Sequence, residues 1–145
     1  MTREMQLASL PQEVQWNDID YMDQHLDFTL DPTTYNPTVV SAWLSQWRAS
    51  GHRYVQIVDP GISATQAPGQ YPALDDLKEC GCYLKQPNGS ATIGVVWPGP
   101  CLFPDFLHPD APAYWEKQWR RYYTDYNITL DGVWMDMNEI ALIQE

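Results

Sequence analysis

Strand-like and helix-like runs alternate along this chain, and each of three strand-like runs closes on an aspartate. The loops that leave these strands are long, whereas the turns that enter them are short. These observations predict an α/β fold, because crossover connections make neighbouring strands parallel and lay the helices outside them. Long loops on the strand-to-helix side are the habit of (β/α)8 barrels, which build their sites there. A whole barrel takes about 250 residues, and this chain has 145. The expectation is therefore an arc of a TIM barrel: three parallel strands, two crossover helices, and a hairpin-containing insertion after the second strand. Residues 1–145 form one partial barrel domain, with 61–108 as the insertion.

The elements follow in order. Residues 1–9 resemble the end of a helix that Pro11 breaks. The first strand covers 14–18, where Val14, Trp16 and Asp18 share a face by period-two alternation. A polar loop runs from Asp20 to Tyr35. Asn36 is a capping residue and Pro37 suits the first helical position. Val40, Trp43, Leu44 and Trp47 then make one apolar stripe, and Gly51 ends the helix. The second strand is Arg53–Asp59, stopped by Pro60. In the Gly- and Pro-rich insertion, 81–85 and 91–97 flank Pro87-Asn88-Gly89-Ser90 and predict a hairpin. The second helix runs from about Ala111 to Tyr126 behind Asp110 as cap, with a stripe of Trp115, Trp119, Tyr122 and Tyr126. The third strand is Gly132–Asp136.

Composition narrows the function. Hydrophobic residues make up 44% of the chain, enough for a packed core. A net charge of −11 argues against nucleic acid or an anionic membrane as partner, since both need a basic footprint. No run nears the 18 or so apolar residues of a membrane span, and the first residues show no signal peptide. Seven Trp and nine Tyr suit a core, and also surfaces on which sugar rings stack. Cys80, Cys82 and Cys101 match neither a zinc nor a thioredoxin pattern. Free thiols are expected, with a bridge from Cys80 or Cys82 to Cys101 as the alternative. His25, His52 and His108 are scattered and read as structural. Asn88 and Asn127 head glycosylation acceptor patterns and equally suit a turn and a helix end.

Aspartates at successive strand ends gather carboxylates at one rim of the sheet. Cleavage of a glycoside with retention needs two carboxyl groups about 5 Å apart, one as nucleophile and one as acid/base. Asp136 is seated as a nucleophile should be, on rigid backbone at a strand end. A metal site of Asp18, Asp20 and Asp136 is disfavoured, because nothing around them resembles an oxygen-ligand loop. No metal and no cofactor is predicted.

Trp134-Met135-Asp136-Met137-Asn138-Glu139 resembles the nucleophile signature of glycoside hydrolase family 31, the α-glucosidases of the lysosomal, sucrase–isomaltase and maltase–glucoamylase type. Val14 through Met22 with Asp27, Phe28 and Thr29 is similar to a second block of that family, and Tyr54 through Pro60 to a third. Val96-Trp97-Pro98-Gly99, Phe103-Pro104-Asp105-Phe106 and Pro109 to Trp115 follow in family order. The resemblance implies that Asp136 is the catalytic nucleophile and that Asp18 binds hydroxyls of the sugar. It implies that Ile57 and Trp97 wall the pocket and that Trp134 and Met137 flank the nucleophile. Asp20 and Asp59 are expected to hold neighbouring loops, and Glu139 to support or cap rather than serve as the acid.

The resemblance places the family's acid/base downstream of the matched blocks, and Ile140–Glu145 departs from the family continuation. The expectation is a fragment of a retaining α-glucosidase acting on maltose-like α-glucosides or maltooligosaccharides, inactive alone and needing the rest of the barrel to fold. Secretory, lysosomal or vacuolar placement is implied by the same resemblance. The alternative is a non-catalytic carbohydrate-binding or interaction fragment.

Overall fold

The computed structural model describes residues 2–139. Met1 and residues 140–145 lie outside them, including the Ile140–Glu145 stretch that departs from the family pattern. Helix α1 (Thr2–Leu7) precedes β1 (Val14–Asn17), and α2 (Pro37–Ala49) leads into β2 (Arg53–Val58). The insertion holds β3 (Ile62–Ser63), α3 (Pro72–Cys80), β4 (Ile93–Val96) and β5 (Gly99–Leu102). Helix α4 (Ala111–Tyr126) then leads into β6 (Gly132–Met135).

Strands β1, β2 and β6 form one sheet in that order, and both pairings are parallel. The chain is thus an arc of an α/β barrel with β2 at its centre. Gln56 turns outward, where its Nε2 donates to the Tyr122 hydroxyl at 2.6 Å. Alternation then turns Val55 and Ile57 inward. Trp16 and Trp134 close over this inner face, edge to face at 6.2 Å.

Helix α2 forms as its sequence dictates. The Asn36 side chain accepts the Thr38 and Val39 N–H groups, and Pro37 occupies the first turn. Leu44 and Trp47 are buried, and Trp43 stacks on Trp47 with centroids 5.4 Å apart. Gly51 ends the helix at φ +86°, a conformation open to glycine at no steric cost. Below the sheet, one Asp131 oxygen accepts both the Tyr54 N–H at 3.0 Å and Arg48 Nε at 2.9 Å. That carboxylate ties α2, β2 and the turn before β6 together.

Helix α4 is rolled relative to its predicted stripe. Ala111, Tyr114, Gln118 and Tyr122 are its buried positions, while Trp115 and Trp119 are half-buried. The roll arises because α4 also packs on α3, which the sequence did not reveal. Gln118 Nε2 and Arg121 both donate to Asp76 of α3, and the Tyr114 hydroxyl donates to Ala73 O. Trp115 and Trp119 each meet Phe28 edge-on with centroids 5.1 Å apart.

Several expectations fail for physical reasons. The 20–35 loop is polar in composition, yet Tyr21, Met22, Leu26, Asp27 and Leu30 are buried. It folds back onto the strand ends, with the Tyr21 hydroxyl on Ile57 O at 2.6 Å. The insertion's hairpin lies further along than predicted. β4 pairs β5 across Trp97-Pro98, whereas the turn at 87–90 closes only a short ladder, through the Lys85–Ala91 bridge and the bonds from Thr92 N–H to Leu84 O at 2.9 Å and from Gln86 N–H to Ser90 O at 2.7 Å. Pro98 and Pro100 disguised β5 as loop, yet Pro100 still offers its carbonyl to the N–H of Ala64, the residue just after β3, at 2.8 Å. Cys80 bridges Cys82, leaving Cys101 free and buried, because Cys101 sits in a different apolar cluster. Asp110 occupies the cap position of α4 without a capping bond; its carboxylate lies 3.8 Å from His108 Nδ1 instead.

Gly61 joins the two sheets where no side chain fits. A Cβ there would lie 2.6 Å from Val96 Cγ2. Gly61→Ala is expected to cost about 1–3 kcal/mol in urea unfolding, and Val96→Ala in the same chain to recover part of that loss. A neutral Gly61→Ala would mean the sheets are not in this contact.

Candidate active site

The parallel register brings the predicted carboxyl groups to one rim. In β2 and β6, Ile57 faces Trp134 and Val58 faces Met135. One residue further along, Asp59 stands level with Asp136, whose N–H extends the ladder to Val58 O at 3.3 Å. Asp18 follows β1 directly, its Oδ1 accepting the Ile19 N–H at 2.7 Å. The charges acting on Asp59 are those of Asp136, Asp18 and Glu139, in that order. The rim of the sheet thus gathers carboxyl groups from all three strands.

Their environments differ. Asp59 is 2% exposed, while Asp136 is half-buried and Asp18 and Glu139 are exposed. Burial, followed by the neighbouring carboxylates, raises the Asp59 pKa from 3.8 to about 6. Behind it stands Asp27, whose Oδ1 accepts the Asp59 N–H at 2.8 Å. Burial pushes the Asp27 carboxyl well above the usual carboxylate range. The Tyr71 hydroxyl bonds the Asp27 carbonyl at 2.9 Å. The loop of residues 20–35 therefore reaches under the rim and holds its central strand end.

The remaining predicted residues are distributed around this row. Trp134 lies inside the arc against Trp16. Ile57 is 2% exposed within the core, beneath the rim. Met137 has a left-handed backbone, φ +52°, uncommon for a non-glycine residue. It turns the chain sharply after Asp136 and packs beside Val96, Cys101 and Phe103. Trp97, adjoining Val96 at the β4–β5 turn, is 56% exposed. Asp20 is set apart from the row. It lines an open cleft of about 480 Å³ with Asp18, Trp16, Tyr35 and Trp43, and with burial it raises the Tyr35 pKa. That cleft lies along the outer edge of β1 and does not reach Asp136. Among the described residues no cluster of three or more His, Cys, Asp or Glu groups is suited to hold a metal ion.

The family model for the "Glycosyl hydrolases family 31 TIM-barrel domain" matches residues 1–144. The chain belongs to glycosyl hydrolase family 31. Among its family 31 relatives, the "Probable alpha/beta-glucosidase agdC" of Aspergillus clavatus is 38% identical over 135 residues, covering 92% of this chain and 15% of the relative. The "Lysosomal alpha-glucosidase" of Bos taurus is 36% identical over 135 residues, covering 93% of this chain and 14% of the relative. The solved ER glucosidase II heterodimer, a catalytic subunit with the binding domain of its regulatory subunit, superposes with a TM-score of 0.83 at 29% identity; the match covers 97% of this chain and 15% of that one. The chain thus spans about 15% of the length of these relatives.

Sequence reasoning quoted Asp27 only as part of a family block. Its place under Asp59 had no local signal, because a buried aspartate and a solvated loop aspartate look alike in a polar segment. Asp59 likewise reads as a loop anchor until its burial is seen.

Stability should carry the mark of Asp59. Its folded pKa of about 6 exceeds the ordinary 3.8, so the folded chain holds this proton more tightly than the unfolded chain. The contribution is complete below about pH 4 and is lost as pH rises through about 6. Asp59→Asn is expected to raise the unfolding midpoint relative to the parent at pH 7, and the gain should vanish towards pH 3.5. An equal gain at both pH values would show that Asp59 titrates normally.

Proposed function

We propose that this chain supplies the nucleophile-bearing arc of a retaining α-glucosidase. The observation that carries the reading is the register of β2 and β6, which seats Asp136 at a rigid strand end among carboxyl groups of the same rim. In this reading the Asp136 carboxylate attacks the anomeric carbon of a terminal α-linked glucose. The glycosidic C–O bond breaks, and the departing oxygen takes a proton from an acid that this segment does not provide. Water then adds to the anomeric carbon, gives up a proton to the same group, and releases Asp136 with α-glucose. Asp18 binds sugar hydroxyls, Trp134, Ile57 and Trp97 wall the ring, and Met137 flanks the nucleophile. The substrate is a maltose-like oligosaccharide, and the setting is secretory, lysosomal or vacuolar. Support comes from the family and from α-glucosidases among its relatives.

A second reading, carbohydrate binding without turnover, draws on the exposure of Trp16 and Trp97, 55% and 56%. Flat exposed indoles are suited to stack on sugar faces. The two readings share a surface and differ in chemistry.

General acid catalysis is typically worth 10² to 10⁴ in rate, about 3–5 kcal/mol. The chain alone is therefore expected to give no detectable hydrolysis of an activated α-glucoside; turnover abolished by Asp136→Asn would overturn that. Grafting residues 2–139 in place of the matching segment of a full-length lysosomal-type relative should restore hydrolysis, and Asp136→Asn in the graft should abolish it. An active graft that tolerates Asp136→Asn would sink the catalytic reading. Calorimetric titration of the isolated chain with maltose should show weak binding that Trp97→Ala removes. Heat that is unchanged in Trp97→Ala would sink the assignment of that wall.

A further inference from the structure

We propose that Asp59 and Asp136 work as a pair holding one proton, with Asp59 carrying it and Asp136 left ionised. The pair rests on the reading of Asp136 as nucleophile and adds a partner that sets its charge. Three structural observations support it. First, the ladder partners Val58 and Met135 put the next residues, Asp59 and Asp136, side by side on adjacent parallel strands. Neighbouring strands lie about 4.8 Å apart, and residues level with one another point to the same face. Two carboxyl groups in such a row cannot both ionise without a substantial electrostatic cost, so one holds its proton.

Second, the two are unequally buried. Asp59 is 2% exposed and Asp136 half-buried, so water solvates a charge better at Asp136. Third, Asp59 Oδ1 is buried with no hydrogen-bond partner among the described residues. A buried carboxylate oxygen lacking any donor is costly, whereas a protonated carboxyl turns that atom, or its neighbour, into a donor. Of the carboxylates at the rim, Asp136 acts most strongly on Asp59.

The surroundings of Asp59 act in one direction. Asp18 faces it from the end of β1, and Asp136 and Glu139 from the end of β6. Asp27 lies beneath it on the 20–35 loop, and the buried Cys101 thiol of β5 feels both Asp27 and Asp59. Among the described residues, no lysine, arginine or histidine enters the set of charges that act on Asp59. Every ionised neighbour therefore favours a neutral Asp59. Asp27 acts as a positioning residue: its bond to the Asp59 N–H at 2.8 Å keeps the carboxyl in the row rather than swinging out with Pro60. A neutral Asp59 donating to Asp136 would hold the nucleophile as the anion before attack. It would also ease departure of that carboxylate from the glycosyl-enzyme.

Carbon-13 carboxyl NMR on the whole chain, with labelled aspartate titrated from pH 3 to 8, tests the pair without any sugar. Asp59 is expected to report the higher step, near 6, and the carbons of both residues should respond to both steps, as coupled sites do. Asp136→Asn should lower the Asp59 step by less than about one pH unit, since burial is the larger cause, and Asp18→Asn should lower it less, since Asp18 comes level with Ile57 rather than with Asp59. If Asp136→Asn does not fold, the two-step response of the wild-type carbons alone decides. The pairing is overturned by any of three results. Asp59 titrates near the ordinary 3.8, Asp136 carries the higher step, or Asp18→Asn moves Asp59 more than Asp136→Asn does. Coupled carbons beside an inactive graft would remove the glucosidase reading and leave the pair. Uncoupled carbons beside an active graft would do the reverse.

Discussion

The pairing of β2 with β6 is the constraint on which the rest of the site depends. A parallel ladder has a side-chain period of two, so a slip of one residue would send Asp136 outward and Val133 and Met135 inward. The observed register, Ile57 opposite Trp134, keeps indole and carboxyl groups on the inner face together. It is secured at both ends. Asp131 binds Arg48 and the Tyr54 N–H at the entry to the strands. At the exit, Asp27 binds the Asp59 N–H and Asp136 extends the ladder to Val58. Both anchors are carboxylates reaching backbone, which fixes position along the strand as apolar contact does not.

Burial at the rim is uneven, and that unevenness is chemically useful. Four carboxyl groups converge where the described residues place no cation. In water such a cluster would repel itself weakly. Beside a buried strand end the repulsion is stronger, and protonation relieves it. The insertion supplies much of that burial. Its small antiparallel sheet leans Val96, Cys101 and Phe103 on Met137, and the left-handed turn at Met137 keeps Asp136 at the mouth. The 20–35 loop closes the site from below. A segment that looked like a solvated connection is therefore structural, and its buried Asp27 is as much a part of the rim as the strand-end residues.

Much of the fold was legible because its signals are local. Asn36-Pro37 and Gly51 bracket α2, and the stripe Val40, Trp43, Leu44, Trp47 gives its buried face. Short apolar runs ending on Asp18, Asp59 and Asp136 give the strands, and the alternation with helices makes them parallel. The insertion was less legible. Pro72 starts a real helix with Leu74 and Leu77 buried, yet prolines and glycines around it made the stretch look irregular. Pro100 lies in a paired strand because its missing N–H is not needed there and its carbonyl still bonds Ala64.

By itself, the sequence determined the order of elements outside the insertion, the arc of parallel strands and the gathering of aspartates at one rim. Those follow from period, caps and connection length, all read within a few residues. Only the tertiary structure decided that Cys82 bridges Cys80 rather than Cys101, that α4 turns Gln118 toward Asp76, and that Asp59 lies buried on Asp27 beside Asp136. Each of these depends on which distant residues approach, and on how much water remains between them. Chain order does not encode that proximity, and the charge state of a carboxyl group follows from it.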